Sequence, residues 1–464
     1  MSGFLRHTIA GLALVVVGLI GGASSAQELS AADRAQLQAQ KEALFQRTLR
    51  DPGNLDTTFA YADVSAKLGD NEAAVSALER MLLFNPNLPR VQLELGALYF
   101  RMGSYDIART YFDRAAAANP PKDVRERIQT YLDAIERRNA PQRLTGFGFF
   151  GAQYQSNANI AGSSSIGFPA GVVVNLLPQF VKRQDYIVFG TGSVLYSYDL
   201  GTQDGDTLEL GGTAYVNHYG TIERLNLGLV EATAGPRFNF REPLPGVNSA
   251  SLKPYVIGNE VTLGGGGNQY FDTWGVGGEA TALVWDDVRF KSTFEYRNKT
   301  FTNQPDRPLS NGFNGSDKLV SVFLSKPITV VPNSELSLEF DFLDQDTMAL
   351  PDPVALLPYY SNKSYAGAAA YRIRYDDPTG VFRLPLETNF SLSRSWALYA
   401  APDPCCGGTS NRFDQRWRFA IAQTLPITND VSVVMQLQRD IVSSNVALYH
   451  YTSNSALLGA QIRF

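Results

Sequence analysis

The sequence predicts an α+β chain in which a short N-terminal helical solenoid precedes an antiparallel transmembrane β-barrel of about fourteen strands. Three observations predict it. Apolar and small residues repeat at helical spacing before residue 140, the period changes to two after Pro141, and the chain ends on a strand with one apolar face. In that last stretch Ala456, Leu458, Ala460, Ile462 and Phe464 alternate with Gly459, Gln461 and Arg463, so one side suits lipid and the other water.

Residues 1–26 have the layout of a secretory signal. Arg6 and His7 precede an apolar run from Ile9 to Ile20, and the small residues Ala23 to Ala26 offer a cleavage site. No later stretch approaches the roughly 18 unbroken apolar residues of a membrane-spanning helix, and no Cys stands at the cleavage site to carry a lipid. A net charge of -5 with 18% charged residues fits neither a nucleic-acid binder nor a disordered chain. Two Cys in an exported chain of 464 residues exclude a disulfide framework, and three His leave little material for catalysis or metal binding. We therefore expect no catalytic residue, no metal and no cofactor.

Residues 27–140 form the predicted periplasmic helical domain. Leu95, Gly96, Tyr99, Ala108, Phe112, Ala115 and Pro120 fall at the spacing of a tetratricopeptide repeat. About 34 residues earlier, Tyr61, Ala62, Ser65, Ala74, Leu78, Met81 and Pro86 keep the same punctuation, with Gly69 and Gly103 at equivalent turns. Leu44 and Pro52 extend the phase to a capping helix, and 123–138 reads as an end helix, apolar at Val124, Ile128, Tyr131 and Ile135. The small residues let paired helices approach closely, so their primary role is packing. The concave face of such a solenoid can hold a peptide or partner protein; a spacer or assembly handle is the alternative.

From 141 to 464 every segment alternates. In 333–342, Leu336, Leu338, Phe340 and Phe342 oppose Glu335, Ser337, Glu339 and Asp341. Strands are predicted at about residues 145–156, 185–199, 206–219, 223–240, 251–263, 269–285, 288–301, 317–330, 334–347, 362–375, 382–399, 412–425, 430–443 and 449–464. Links after even-numbered strands are tight, except a longer one over 242–250. Gly/Pro/Asn-rich links follow most odd-numbered strands, at 157–184, 302–316, 349–361 and 401–411. Short periplasmic turns facing longer outer loops are what an asymmetric membrane imposes on a barrel, and an even count places the helical domain in the periplasm.

The alternation points Arg289, Lys291, Arg297, Arg372, Arg374, Arg416 and Arg418 inward with Glu295, Glu339 and Asp341; Arg463, Glu209, Glu335 and Asp414 share that face. Such a lining either seals the barrel as a paired network or defines a hydrated path for a substrate of mixed charge. Gly264 to Gly267 reads as a hairpin loop, since no Lys-Ser/Thr and no helix follow it. Asp341, Asp344 and Asp346 lack the Gly and Glu of a calcium loop. Cys405-Cys406 sits in a predicted outer loop, and His218 and His450 lie on different strands.

The whole mature chain resembles the surface lipoprotein assembly modulators. The first strand ends in Tyr154, Ser156, Asn157 and Asn159, similar to that family's Tyr-x-Ser-Asn-x-Asn barrel start, with Gln155 where Asp is expected. The resemblance implies an outer-membrane translocator that delivers lipoproteins or soluble haem-acquisition proteins to the cell surface, the repeats capturing client. A terminal aromatic such as Phe464 resembles the signal by which the barrel-assembly machinery recognises outer-membrane proteins. The implied partners are outer-membrane lipids, a client protein and that machinery. Two other functions remain open at this point: an exopolysaccharide export porin, whose relatives carry more repeats, and a non-transporting surface adhesin or anchor.

Overall fold

The computed structural model describes residues 31–162, 165–167, 173–176, 181–285, 287–305, 307–348, 360–402 and 410–464. The signal-like segment and Cys405-Cys406 lie outside them. The chain divides into two units, Met1–Ala140 and Pro141–Phe464. No helix of the described residues is long and apolar enough to cross a membrane.

The first unit is six helices: α1 Ala31–Arg50, α2 Leu55–Lys67, α3 Asn71–Phe84, α4 Pro89–Arg101, α5 Tyr105–Ala117 and α6 Lys122–Asn139. Their starts are written in local chemistry. Asn54 accepts from the Thr57 N–H at 2.9 Å and Asp70 from the Ala73 N–H at 3.1 Å, each satisfying a first-turn donor that the helix cannot. Asp70 also pairs with Lys41 of α1, tying the capping helix to the first repeat. Gly69 and Gly103 take φ of 84° and 78° to end α2 and α4, a conformation that costs glycine little.

Packing follows the repeat. Leu95, Ala108 and Phe112 are fully buried, and a Cβ on Gly96 would stand 2.7 Å from the Phe112 ring, so α4 and α5 approach as closely as they do only because 96 is glycine. Tyr99 stacks on Tyr111 at 5.6 Å and donates its hydroxyl to Glu79 at 2.6 Å. Burial, then the Glu79 carboxylate, pushes that hydroxyl well above its usual titration range. Pro120 lies just past α5, its carbonyl accepting from Arg125 of α6 at 3.2 Å. Helix α6 buries Ile128 and Ile135, and its Tyr131 stacks on Phe112 at 4.7 Å, shielding the stack from water.

The second unit is a closed meander of fourteen antiparallel strands: β1 Gln142–Gln155, β2 Asp185–Asp199, β3 Thr207–Tyr219, β4 Leu227–Leu244, β5 Val247–Leu263, β6 Gln269–Val284, β7 Val288–Phe301, β8 Gly315–Ile328, β9 Ser334–Thr347, β10 Asn362–Tyr375, β11 Leu386–Pro402, β12 Asn411–Pro426, β13 Val431–Ser444 and β14 Tyr451–Arg463. Each strand pairs with its sequence neighbours, and β1 closes on β14 with Phe147 opposite Arg463. Closure leaves no unpaired edge, which is the condition for a sheet to sit in hydrocarbon. A small hairpin of Ser165–Gly167 with Val173–Asn175 lies within the first long link.

Three boundaries depart from the sequence expectation. The longer link over 242–250 does not exist: β4 and β5 continue to Leu244 and Val247, and Pro245-Gly246 alone turns the chain. Glu242, at φ 45°, forms a bulge that carries pairing past residues whose composition reads as a loop. Residues 223–225 are a helical turn, so β4 begins at Leu227. Strand β11 begins at Leu386 rather than 382, because Asp377 folds the preceding segment into a turn, accepting from the Thr379, Val381 and Phe382 N–H groups at 2.9, 2.8 and 2.9 Å.

Candidate functional site

Alternation sorts the barrel wall into two faces. Outward stand Phe150, Val188, Val216, Val230, Val256, Phe294, Phe340, Phe390, Phe419, Leu437 and Leu458, all exposed. Inward, acidic and basic side chains meet across strands. A closed, even-stranded barrel with an apolar outer band and a polar interior has the construction of the bacterial outer-membrane class. The fold is that of an outer-membrane β-barrel.

The inner face is a ladder of ion pairs. Arg237 of β4 bridges Glu209 of β3 at 2.7 Å and Glu279 of β6 at 2.8 Å; Lys253 of β5 reaches Glu209 at 2.8 Å, and Lys291 of β7 reaches Glu279 at 2.6 Å. Along β7, Arg297 pairs with Glu231 and Glu295, both at 2.7 Å, and Glu295 also accepts the Tyr255 hydroxyl at 2.7 Å. Lys299 meets Asp317 of β8 at 2.7 Å. Glu335 of β9 holds Arg372 at 2.5 Å and Arg289 at 3.5 Å, while Arg374 pairs with Glu387 of β11 at 2.8 Å. Asp440 of β13 holds Arg416 and Arg418 of β12 at 3.1 and 2.9 Å.

Glu339 and Asp341 share this face, and among the described residues neither forms an ion pair. Most of the remaining charges pair across strands, with Glu335 and Asp440 each serving two guanidiniums. A wall that mixes both signs does not select ions by sign, as a ring of one charge does. It presents both charges to whatever stands in the lumen.

Part of the inner wall is aromatic. Phe149, Phe189 and Tyr215 line β1 to β3 with ring centroids 5.5 and 6.2 Å apart, and the Phe149 ring lies flat against Gly459, where a side chain would collide with it. Phe189 is only 2% exposed although it points inward, so protein rather than water fills the lumen beside it. At the end of the barrel where the longer links lie, three links are cross-joined. Arg307 donates to the Arg224 carbonyl at 2.8 Å, Gln304 to the Gln269 carbonyl at 2.9 Å, and the Gly264 N–H to the Asn226 carbonyl at 2.8 Å. Tyr270, Phe301 and Phe313 pack beneath them, narrowing the mouth.

The motif after β1 is a fastening. Tyr154 donates to Gln184 at 2.9 Å, Ser156 accepts the Asn454 N–H at 2.8 Å, and the buried Asn157 bonds both the N–H and the carbonyl of Ala161 and reaches the Thr452 carbonyl at 3.3 Å. Asn159 accepts the Arg183 N–H at 2.9 Å. These residues pin the first long link to β14 and to the approach of β2. Gly264 and Gly267, at φ 96° and 63°, make a hairpin loop; Asp344 and Asp346 pair with Lys318 at a strand end. His218 meets Asn226 at 3.0 Å. Among the described residues no group of three His, Cys, Asp or Glu could hold a metal ion.

Sequence reasoning missed Arg237, Lys253, Glu279, Glu231 and Asp440. Period two marks each as inward, but nothing in its own strand shows that it is the partner of a residue on another.

No family model matches the chain, and no curated protein does. Among solved structures, the type III secretion chaperone SycD of Yersinia enterocolitica, in complex with a peptide of the translocator YopD, is similar to the helical part at 14% identity. That match covers 23% of this chain and 85% of SycD, with a TM-score of 0.22. OccAB3 of Acinetobacter baumannii is 9% identical over 70% of this chain and 99% of its own, with a TM-score of 0.32. A loop-deletion mutant of OmpT, an outer membrane protein of Vibrio cholerae, is 7% identical over 70% of this chain and 100% of its own, with a TM-score of 0.35.

Proposed function

We propose that the chain is an outer-membrane translocator that delivers a client protein to the cell surface, the helical repeats capturing client in the periplasm and the barrel providing passage. The observation that carries this reading is the union, in one chain, of a repeat solenoid with a barrel whose interior offers paired charges of both signs. A polypeptide of mixed charge meets complementary groups along such a wall; a single small ion gains nothing from it. The resemblance to the surface lipoprotein assembly modulators supports a lipoprotein or a soluble haem-acquisition protein as the client. The protein carries out no chemical reaction in this reading. In this reading the short links face the periplasm and the long ones the exterior, and the even number of strands puts both ends of the barrel on the same side.

Removing residues 28–140 tests it. The barrel should insert normally and export poorly, because the client concentration beside it falls. Pulldown with the repeats, followed by surface detection of the captured protein in cells with and without the barrel, identifies the client. Capture of no protein, together with loss of a surface polysaccharide on gene deletion, would replace protein export by glycan export. A second reading, a surface anchor that transports nothing, has the cross-joined mouth in its favour. Surface exposure of the captured protein independent of the barrel would establish it.

A further inference from the structure

The lipid-facing wall carries a feature that neither packing nor translocation uses. Over β9 to β14 the outward side chains enclose an open apolar groove of about 680 Å3, lined by Leu336, Phe390, Leu392, Phe419, Ile421 and Leu437. Ala369 of β10, a small residue among large ones, keeps its floor low. Arg439 stands on the same outward row as Leu437, two residues nearer the long-link end, and closes the groove there. Below it the outward residues of β13 are Val431, Val433, Met435 and Leu437, and above it stands Ile441 opposite Trp417, so the charge interrupts an apolar row near its long-link end.

A second outward guanidinium stands two strands from Arg439, two residues beyond Leu392 of the groove wall. Arg394 of β11 points outward between the rings of Trp396 and Trp417, 4.7 Å from each centroid, with one terminal nitrogen 3.4 Å from the Gln415 side-chain oxygen and its Nε without a hydrogen-bond partner. The cross-strand neighbours of Arg394 are Gly367 and Trp417, and those of Arg439 are Phe419 and Asn454. None is acidic. Every basic residue of the inner ladder named above has a carboxylate; among the described residues these two have none. Charge on a barrel's outer wall is tolerated at the interface, where headgroups supply the missing partner.

We propose that this groove is a binding site for an outer-leaflet lipid whose headgroup carries phosphate. The phosphate oxygens accept from Arg439 and Arg394, guanidinium being the side chain suited to that anion, and an acyl chain lies along Leu437, Phe419 and Phe390 toward the membrane centre. The assignment to the outer leaflet rests on the orientation proposed above; the chemistry of the site does not.

Native mass spectrometry of the full chain in detergent, with diphosphoryl lipid A as the added lipid, tests the site. Wild type should retain the lipid. Arg439→Gln and Arg394→Gln should each weaken retention about tenfold, Leu437→Trp should block it by filling the groove, and Lys318→Gln, on β8 outside it, should change nothing. Heat-modifiable migration shows that each variant is folded. Equal retention of lipid A and its dephosphorylated form, or retention unchanged in both arginine variants, would overturn the proposal. An uncharged acyl chain would then be the occupant in the first case, and no specific lipid in the second. Thiol labelling of intact cells carrying Thr202→Cys, with Cys405 and Cys406 replaced by Ser, tests the orientation separately. Labelling there would remove the outer-leaflet assignment even where phosphate-dependent binding holds in detergent.

Discussion

Gly146 and Phe464 exchange both of their backbone hydrogen bonds across the seam of the barrel, Gly146 N–H to Phe464 O at 2.8 Å and Phe464 N–H to Gly146 O at 3.0 Å. The Phe464 ring occupies the space where a side chain at 146 would stand. The last residue of the chain therefore docks on the first barrel strand as a ring over a glycine, facing lipid. Gly146→Val should lower the heat-modifiable fraction in the outer membrane, since its side chain displaces the ring. Phe464→Asp should do so by placing charge on the lipid face. Gly148→Ala should cost less, because its methyl meets only the Ile462 Cγ2 methyl, at 3.1 Å. Normal amounts of folded Gly146→Val would show that the seam does not depend on this contact.

Leu338 and Phe340 sit on the lipid face of β9, and Ser337 between strands that carry the inner ladder. Leu338→Arg or Phe340→Arg should destabilise the barrel by roughly 2–4 kcal/mol near the membrane midplane, measured by denaturant unfolding in vesicles. Ser337→Arg should cost far less. Equal losses at 337 and 338 would remove the assignment of faces.

Asp440 pairs with both Arg416 and Arg418, and the three side chains are 10–18% exposed. Asp440→Asn leaves two guanidiniums side by side without that anion. The expected loss is about 3 kcal/mol, the size typical of breaking a buried ion pair from one side. Adding Arg416→Gln and Arg418→Gln to Asp440→Asn should recover part of it. A triple variant no more stable than the single one would mean that charge pairing is not what Asp440 supplies.

Asp377 is partly exposed, and the backbone N–H groups of Phe382 and Thr379, the Thr379 hydroxyl and the Val381 N–H hold its carboxyl down at about 2, from an ordinary 3.8. A depressed value means that the turn's stabilisation is complete above the ordinary carboxyl range and is lost as pH falls through about 2. Carbon-13 titration of a labelled Asp377 should show that midpoint. A midpoint near 3.8 would show the turn to be open in solution. Asp377→Asn should speed tryptic cleavage after Arg383 at neutral pH.

Period alone determined a great deal here. Side chains alternate across a strand whatever its partner, so Arg289, Lys291, Arg372 and Arg374 could be placed on the inner face, and Leu338 and Phe340 on the outer, from their own strands. The repeat was legible for a like reason: Leu95, Gly96, Ala108 and Phe112 meet within one helical pair, where sequence spacing is spatial spacing. Pairing between strands could not be read in this way. That Glu335 serves both Arg372 and Arg289, or that Asp440 stands beside Arg416 and Arg418, is settled by register, which depends on bulges such as Glu242 and on the closure of all fourteen strands at once. The groove under Arg439 arises from six residues on four strands and Ala369 on a fifth, and no single strand contains its shape. Local spacing dictates which way a side chain points; only the closed sheet decides what it meets.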